Sequence, residues 1–210
     1  VSEGNFERFN VPKHSELAIF PPKYGAQYQK LDKNDLENLA MGTAKNTIDF
    51  EQLACYTPLY EIIEGEDVGI FRYLKGLESA FESLEEKMPR ITLPDSAIKS
   101  IDEYVNVAVA GYGFKAIPSI RYGSNFRILH KKGTPMEFMI EDDGGKSWIP
   151  HPEKHPRFRT LFVFQVPDLY DAMIKDPHLN KDTQTVGVSI LDEEERKIFI
   201  DSLANKGINR

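Results

Sequence analysis

Between residues 73 and 88 the apolar positions recur at three- and four-residue steps. Leu74, Leu77, Phe81, Leu84 and Met88 form one stripe, while Glu78, Glu82, Glu85 and Glu86 take the other faces. That period predicts a helix, and Pro89 stops it. A shorter helix is expected over 34–41, capped by Asn34 or Asp35 and ended by Gly42. Another is expected over 95–103 behind Pro94, and one over 167–175 that enters at Pro167 and closes at Pro177. The last begins at Asp192, has Glu195 three residues on as in a capping box, and ends at Gly207.

Period-two patterns lie between these helices. Residues 57–72 suggest two short strands around an acidic, Gly-containing turn. From Tyr104 to Ala110, Val105, Val107 and Val109 alternate with Asn106, Ala108 and Ala110, which predicts a strand. Further strands are expected at 118–122, 125–131, 136–141, 158–166 and 184–191. Lys132-Gly133 and Asp142-Asp143-Gly144-Gly145 supply hairpin turns. Pro150, Pro152 and Pro156 make 149–157 a loop of fixed geometry.

The implied fold class is α+β. A helical first half packs on an antiparallel sheet or partial barrel in the middle of the chain, and a C-terminal helix covers one sheet face. Residues 1–30, with Pro12, Pro21 and Pro22 among scattered aromatics, read as an extended N-terminal arm. Residues 31–210 read as one domain with a β-rich region at 104–166. A length of 210 residues and 40% hydrophobic content suit this. No apolar run approaches the roughly 20 residues that cross a bilayer, so no membrane role is expected.

Charge sharpens the picture. The chain carries −7 overall, yet residues 114–164 hold 9 basic against 5 acidic side chains. Arg121, Arg127, Lys131, Lys132, Arg157 and Arg159 are interleaved there with Tyr122, Phe126 and Trp148. Cations for phosphates and rings for bases, displayed on an OB-like sheet, are how single-stranded nucleic acid is held. The first expectation is therefore a non-enzymatic protein that binds single-stranded nucleic acid through these nine residues, without a cofactor. Core aromatics alternating with exposed cations would produce the same pattern.

Three other readings compete. The arm and the proline-rich loop suit a structural subunit of a virion or multiprotein complex, or a homo-oligomer. His151, Glu153 and His155, with His178 or His130, could belong to a metal-dependent hydrolase, although the prolines forbid the helical zinc motif. Glu141, Asp142 and Asp143 ahead of Lys146, or Glu195 ahead of Lys197, loosely match a nuclease pattern. Gly111-Tyr-Gly113 lacks the third glycine of a dinucleotide fingerprint. The single cysteine, Cys55, sits beside Leu53 and Ala54 and reads as an inert buried thiol. One cysteine and no basic segment leading into an apolar run predict an intracellular or virion protein.

Overall fold

Two stretches, Pro58–Glu64 and Thr160–Val166, are buried at every residue. A strand with no exposed side needs a layer on each face, which is the condition of a parallel sheet. The computed structural model describes residues 15–19, 33–53, 57–118, 124–134, 139–142, 145–148, 155–176, 179, 185–190 and 193–208. Its strands are β1 (Ser15–Ile19), β2 (Pro58–Glu64), β3 (Lys115–Ile117), β4 (Arg127–Lys132), β5 (Met139–Asp142), β6 (Gly145–Trp148), β7 (Thr160–Val166) and β8 (Thr185–Ser189). Its helices are α1 (Lys33–Ile48), α2 (Asp67–Lys87), α3 (Asp95–Tyr112), α4 (Leu169–Lys175) and α5 (Glu193–Asn205), with a short 3-10 turn at Asp49–Gln52.

Six strands form one sheet in the order β3-β4-β7-β2-β1-β8. Every neighbouring pair is parallel except β3 with β4. The mixture of helix and sheet is as expected for an α+β chain, but the sheet is mixed rather than antiparallel. β5 and β6 form the hairpin that the Asp142–Gly145 turn predicts. Ser15–Ile19, within the segment read as an arm, is a strand between β2 and β8.

Helices cover both faces. Ala40, Ala44 and Ile48 of α1 and Tyr73, Leu77 and Phe81 of α2 pack with Ile63, Ile128, Leu161 and Val163. On the opposite face lie Ile101, Val105 and Ala108 of α3, Leu169 and Met173 of α4, and Phe199 and Leu203 of α5, against Ile62, Leu129, Phe162 and Phe164.

The predicted strand at 104–110 is the second half of α3. Its alternation also satisfies a helical stripe through Ile101, Val105 and Ala108, and Val107, a core residue in a strand, is 53% exposed. Gly113 ends this helix at φ 71, where its N–H reaches Val109 O. Residues 67–72, expected as a strand, form the first turns of α2. Gly42, expected to stop α1, lies inside it with open space beside its Cα. Among the described residues no helix is long and apolar enough to cross a membrane.

Candidate active-site clasp at the start of β2 and β7

Among the described residues, five that are not glycine adopt left-handed backbone: Glu51 (φ 55), Gln52 (φ 60), Arg157 (φ 57), Phe158 (φ 48) and Arg159 (φ 64). Each such residue costs of the order of 1–3 kcal/mol, and such strain concentrates at functional sites. Here the five fall in two segments that hold each other. The Phe158 N–H donates to Glu51 O at 3.1 Å, and Arg157 Nη1 donates to Gln52 O at 2.8 Å.

Side chains lock the clasp. Arg159, 2% exposed, donates from Nε and Nη2 to the two oxygens of Glu51 at 2.9 and 2.6 Å. Its Nη1 donates to Glu85 Oε2 of α2 at 2.5 Å. Gln52 is fully buried. Its Nε2 donates to Pro58 O at 2.8 Å and Thr160 O at 2.9 Å, and its Oε1 accepts from the Thr160 N–H at 2.8 Å. One amide thus ties the first residues of β2 and β7 and joins the two ends of the 53–57 segment.

His155 sits on the same edge, with its ring 5.4 Å from that of Phe162. Its Nδ1 accepts from the Arg157 N–H at 2.8 Å, so Nε2 carries the proton and donates to Leu59 O at 3.1 Å. Burial holds this imidazole neutral, with its pKa pushed down to about 3. Both nitrogens are occupied, so His155 serves as neither base nor metal ligand. Among the described residues no group of three or more His, Cys, Asp or Glu could hold a metal ion. His151, Glu153, His178, Asp143 and Cys55 lie outside the described residues, whereas Glu141 pairs in register with Lys146 across the β5–β6 hairpin.

The nine residues expected to meet nucleic acid do not form one open surface. Phe126 is buried and stacks on Phe81 with ring centroids 4.8 Å apart. Arg127 is buried and paired with Asp102 at 2.5 Å, and Arg159 is spent in the clasp. Arg157 is half-buried against Gln52. Lys131 Nζ donates to Tyr112 O and lies 5.6 Å from the centroid of the Phe114 ring. Lys132 is exposed and bridges to Asp67 at 2.6 Å. Arg121, Tyr122 and the side chain of Trp148 lie outside the described residues. Asp102 and Glu51, the carboxylate partners of Arg127 and Arg159, come from distant sequence, so the pairing is not written locally.

The opposite edge of the sheet holds the turns that follow β2 and β7. The chain leaves β2 toward α2 on one face and leaves β7 toward α4 on the other, which is a topological switch point. Gln165 spans it. Its Nε2 donates to Gly65 O and Asp67 Oδ1, both at 3.0 Å, and its Oε1 lies 3.1 Å from His130 Nε2. Glu64 accepts the Leu169 N–H at 2.8 Å, and burial, with Asp168 and Glu195 nearby, raises its pKa to about 8.

Comparison with known proteins assigns the chain. No curated protein sequence matches it. A crystal structure described as a NAD-dependent benzaldehyde dehydrogenase from Corynebacterium glutamicum is similar, with a TM-score of 0.54 and 13% identity over 89% of this chain. That likeness is one of fold, and the chain spans 37% of that structure's length. The sequence model of the family described as "Acyl-CoA reductase (LuxC)" matches residues 11–210. This overturns the expectation of a non-enzymatic nucleic-acid binder or viral assembly subunit: the chain belongs to the LuxC acyl-CoA reductase family.

Proposed function

We propose that this chain is part of an enzyme that reduces an acyl-CoA thioester to the aldehyde, and that Cys55 receives the acyl group. The family match over residues 11–210 carries this reading. The overall balance is acyl-CoA plus a reduced nicotinamide dinucleotide plus a proton, giving aldehyde, free CoA and the oxidised dinucleotide. Thioester exchange onto a protein thiol divides this into two easier steps. The Cys55 thiolate attacks the thioester carbonyl, a new C–S bond forms, the bond to CoA breaks, and CoA leaves as a thiolate that takes up a proton. Cys55 is the chain's only thiol, and it lies between Gln52 and Pro58, whose junction the clasp fixes.

A nicotinamide dinucleotide would supply the hydride. The described residues do not fit its pyrophosphate. Such a group needs an open glycine turn at a helix N-terminus. Here the turn after β2 reads Glu64-Gly65-Glu66-Asp67, and the one after β7 places Asp168 at the cap of α4. The carboxyl groups of Glu66, Asp67 and Asp168 oppose an anion there.

Intact-mass spectrometry tests the reading. Incubation with an acyl-CoA should add one acyl mass to the chain, and Cys55→Ser should abolish the addition. A wild-type chain that stays unmodified, or a Cys55→Ser variant still acylated to the same extent, would overturn it.

A further inference from the structure

Arg127 opens β4 and is 2% exposed. Its Nη2 donates to Asp102, but its Nε and Nη1 are buried without a hydrogen-bond partner. Thr160 is its register partner on β7, and Thr160 Oγ1 is likewise buried and unpartnered. Folded proteins pair nearly all such atoms, and donors of a buried guanidinium are among the costliest to leave empty.

Arg90 is an electrostatic neighbour of Arg127 and is only half-buried. Its Nη1 donates to Ser124 O at 2.8 Å, three residues before Arg127, and its N–H donates to Glu85 Oε1 at 3.1 Å. Burial first, and then the facing Arg127 guanidinium, push its pKa down. Among the described residues, Arg127 and Arg159 pair with Asp102, Glu51 and Glu85 on this edge, while Arg157 donates to the Gln52 carbonyl and Arg90 to that of Ser124.

We propose that Arg90 and Arg127 form a phosphate subsite at the N-terminal edge of β4, and that it takes a phosphate of the CoA thioester. A tetrahedral oxyanion offers acceptors to Arg127 Nε and Nη1, to the Thr160 hydroxyl and to Arg90 at once. Guanidinium groups are the preferred partners of phosphate. The identity of the phosphate rests on the acyl-CoA reading; the donor cluster does not.

The test is calorimetric titration of the 210-residue chain with adenosine 3′,5′-bisphosphate and, separately, with inorganic phosphate. Wild type should bind the bisphosphate saturably, and Arg90→Gln and Arg127→Lys should each weaken binding at least ten-fold. Binding of both ions with equal affinity would identify a general phosphate site and overturn the CoA assignment. Absence of binding to wild type, or affinity unchanged in both variants, would overturn the subsite altogether. Acylation of Cys55 separates this from the wider reading. Arg90→Gln should slow labelling by subsaturating acyl-CoA at least ten-fold and leave labelling by an acyl-pantetheine thioester, which lacks phosphate, unchanged. Equal slowing with both thioesters would sink the subsite and spare the thiol's role. No labelling by either thioester, with the bisphosphate still bound, would sink the thiol's role and spare the subsite.

Discussion

The side chain of Gln52 binds Thr160 as a neighbouring strand would, accepting its N–H and donating to its carbonyl. A further bond to Pro58 O makes this amide the junction of β2 and β7. Gln52→Ala removes three hydrogen bonds to buried main-chain groups, leaving the Thr160 N–H only its longer bond to Arg157 O at 3.2 Å, and should destabilise the chain by about 2–4 kcal/mol. Gln52→Glu should be worse, because a carboxylate would face the carbonyls of Pro58 and Thr160. Urea unfolding of the two variants checks both the loss and its order.

Arg159 meets Glu51 and Glu85 in a setting that excludes water. Removing only the cation strands a buried carboxylate, so Arg159→Met should cost about 3–5 kcal/mol. Adding Glu51→Gln removes the stranded charge and should recover part of that loss. The double-mutant cycle measures the coupling. A fully additive pair would show that the two side chains do not depend on each other.

Glu61 is fully buried in β2 and accepts from Tyr73 Oη at 2.7 Å, while its Oε2 is unpartnered. Burial raises its pKa from 4.5 to about 8, against the lowering effect of the Tyr73 bond. The folded state therefore holds a proton that the unfolded chain releases. This contribution is fully present below pH 4.5 and is lost as pH rises through about 8. Glu61→Gln should raise the melting temperature at pH 8.5 relative to wild type and change it little at pH 4.5. Equal shifts at both values would show that ionisation is not the cause.

His155 should behave in the opposite sense. Its pKa falls from 6.5 to about 3, so the unfolded chain binds a proton that the folded chain refuses. Its contribution is full above pH 6.5 and fades as pH falls toward 3. Nitrogen NMR of the imidazole should report a neutral Nε2–H ring with no titration between pH 5 and 8. A midpoint near 6.5 would mean that the ring is solvated.

Much of the secondary structure was legible because it is written in local spacing. The stripe through Leu74, Leu77, Phe81 and Leu84, and the cap-to-glycine pattern of α5, depend only on near neighbours. Two misreadings share a cause. In 104–110 valine and alanine satisfy both a two-residue and a helical period, so only burial of Val105 beside exposure of Val107 decides. Strand direction also went unread, because nothing local to Tyr60 or Phe162 says that the two run parallel.

The candidate site was largely illegible. Arg157 and Arg159 were singled out as phosphate ligands, but their partners Glu51, Gln52 and Glu85 carry no motif. Gln52 in particular is an ordinary polar residue before an apolar segment. Its role follows from a left-handed backbone and from Thr160, and neither is visible in one sequence. Cys55 reads as inert from its apolar neighbours, and the acylation experiment decides between that reading and the proposed one.

Gln52 and Thr160 are separated by 108 residues. Closing a loop of that length carries an entropic cost that the bonds at its mouth must offset, and such contacts form late. Between them in the chain lie α2, α3 and β4. The junction therefore joins residues that only the assembled sheet brings together, because Gln52 has no Thr160 to bind until β7 lies beside β2.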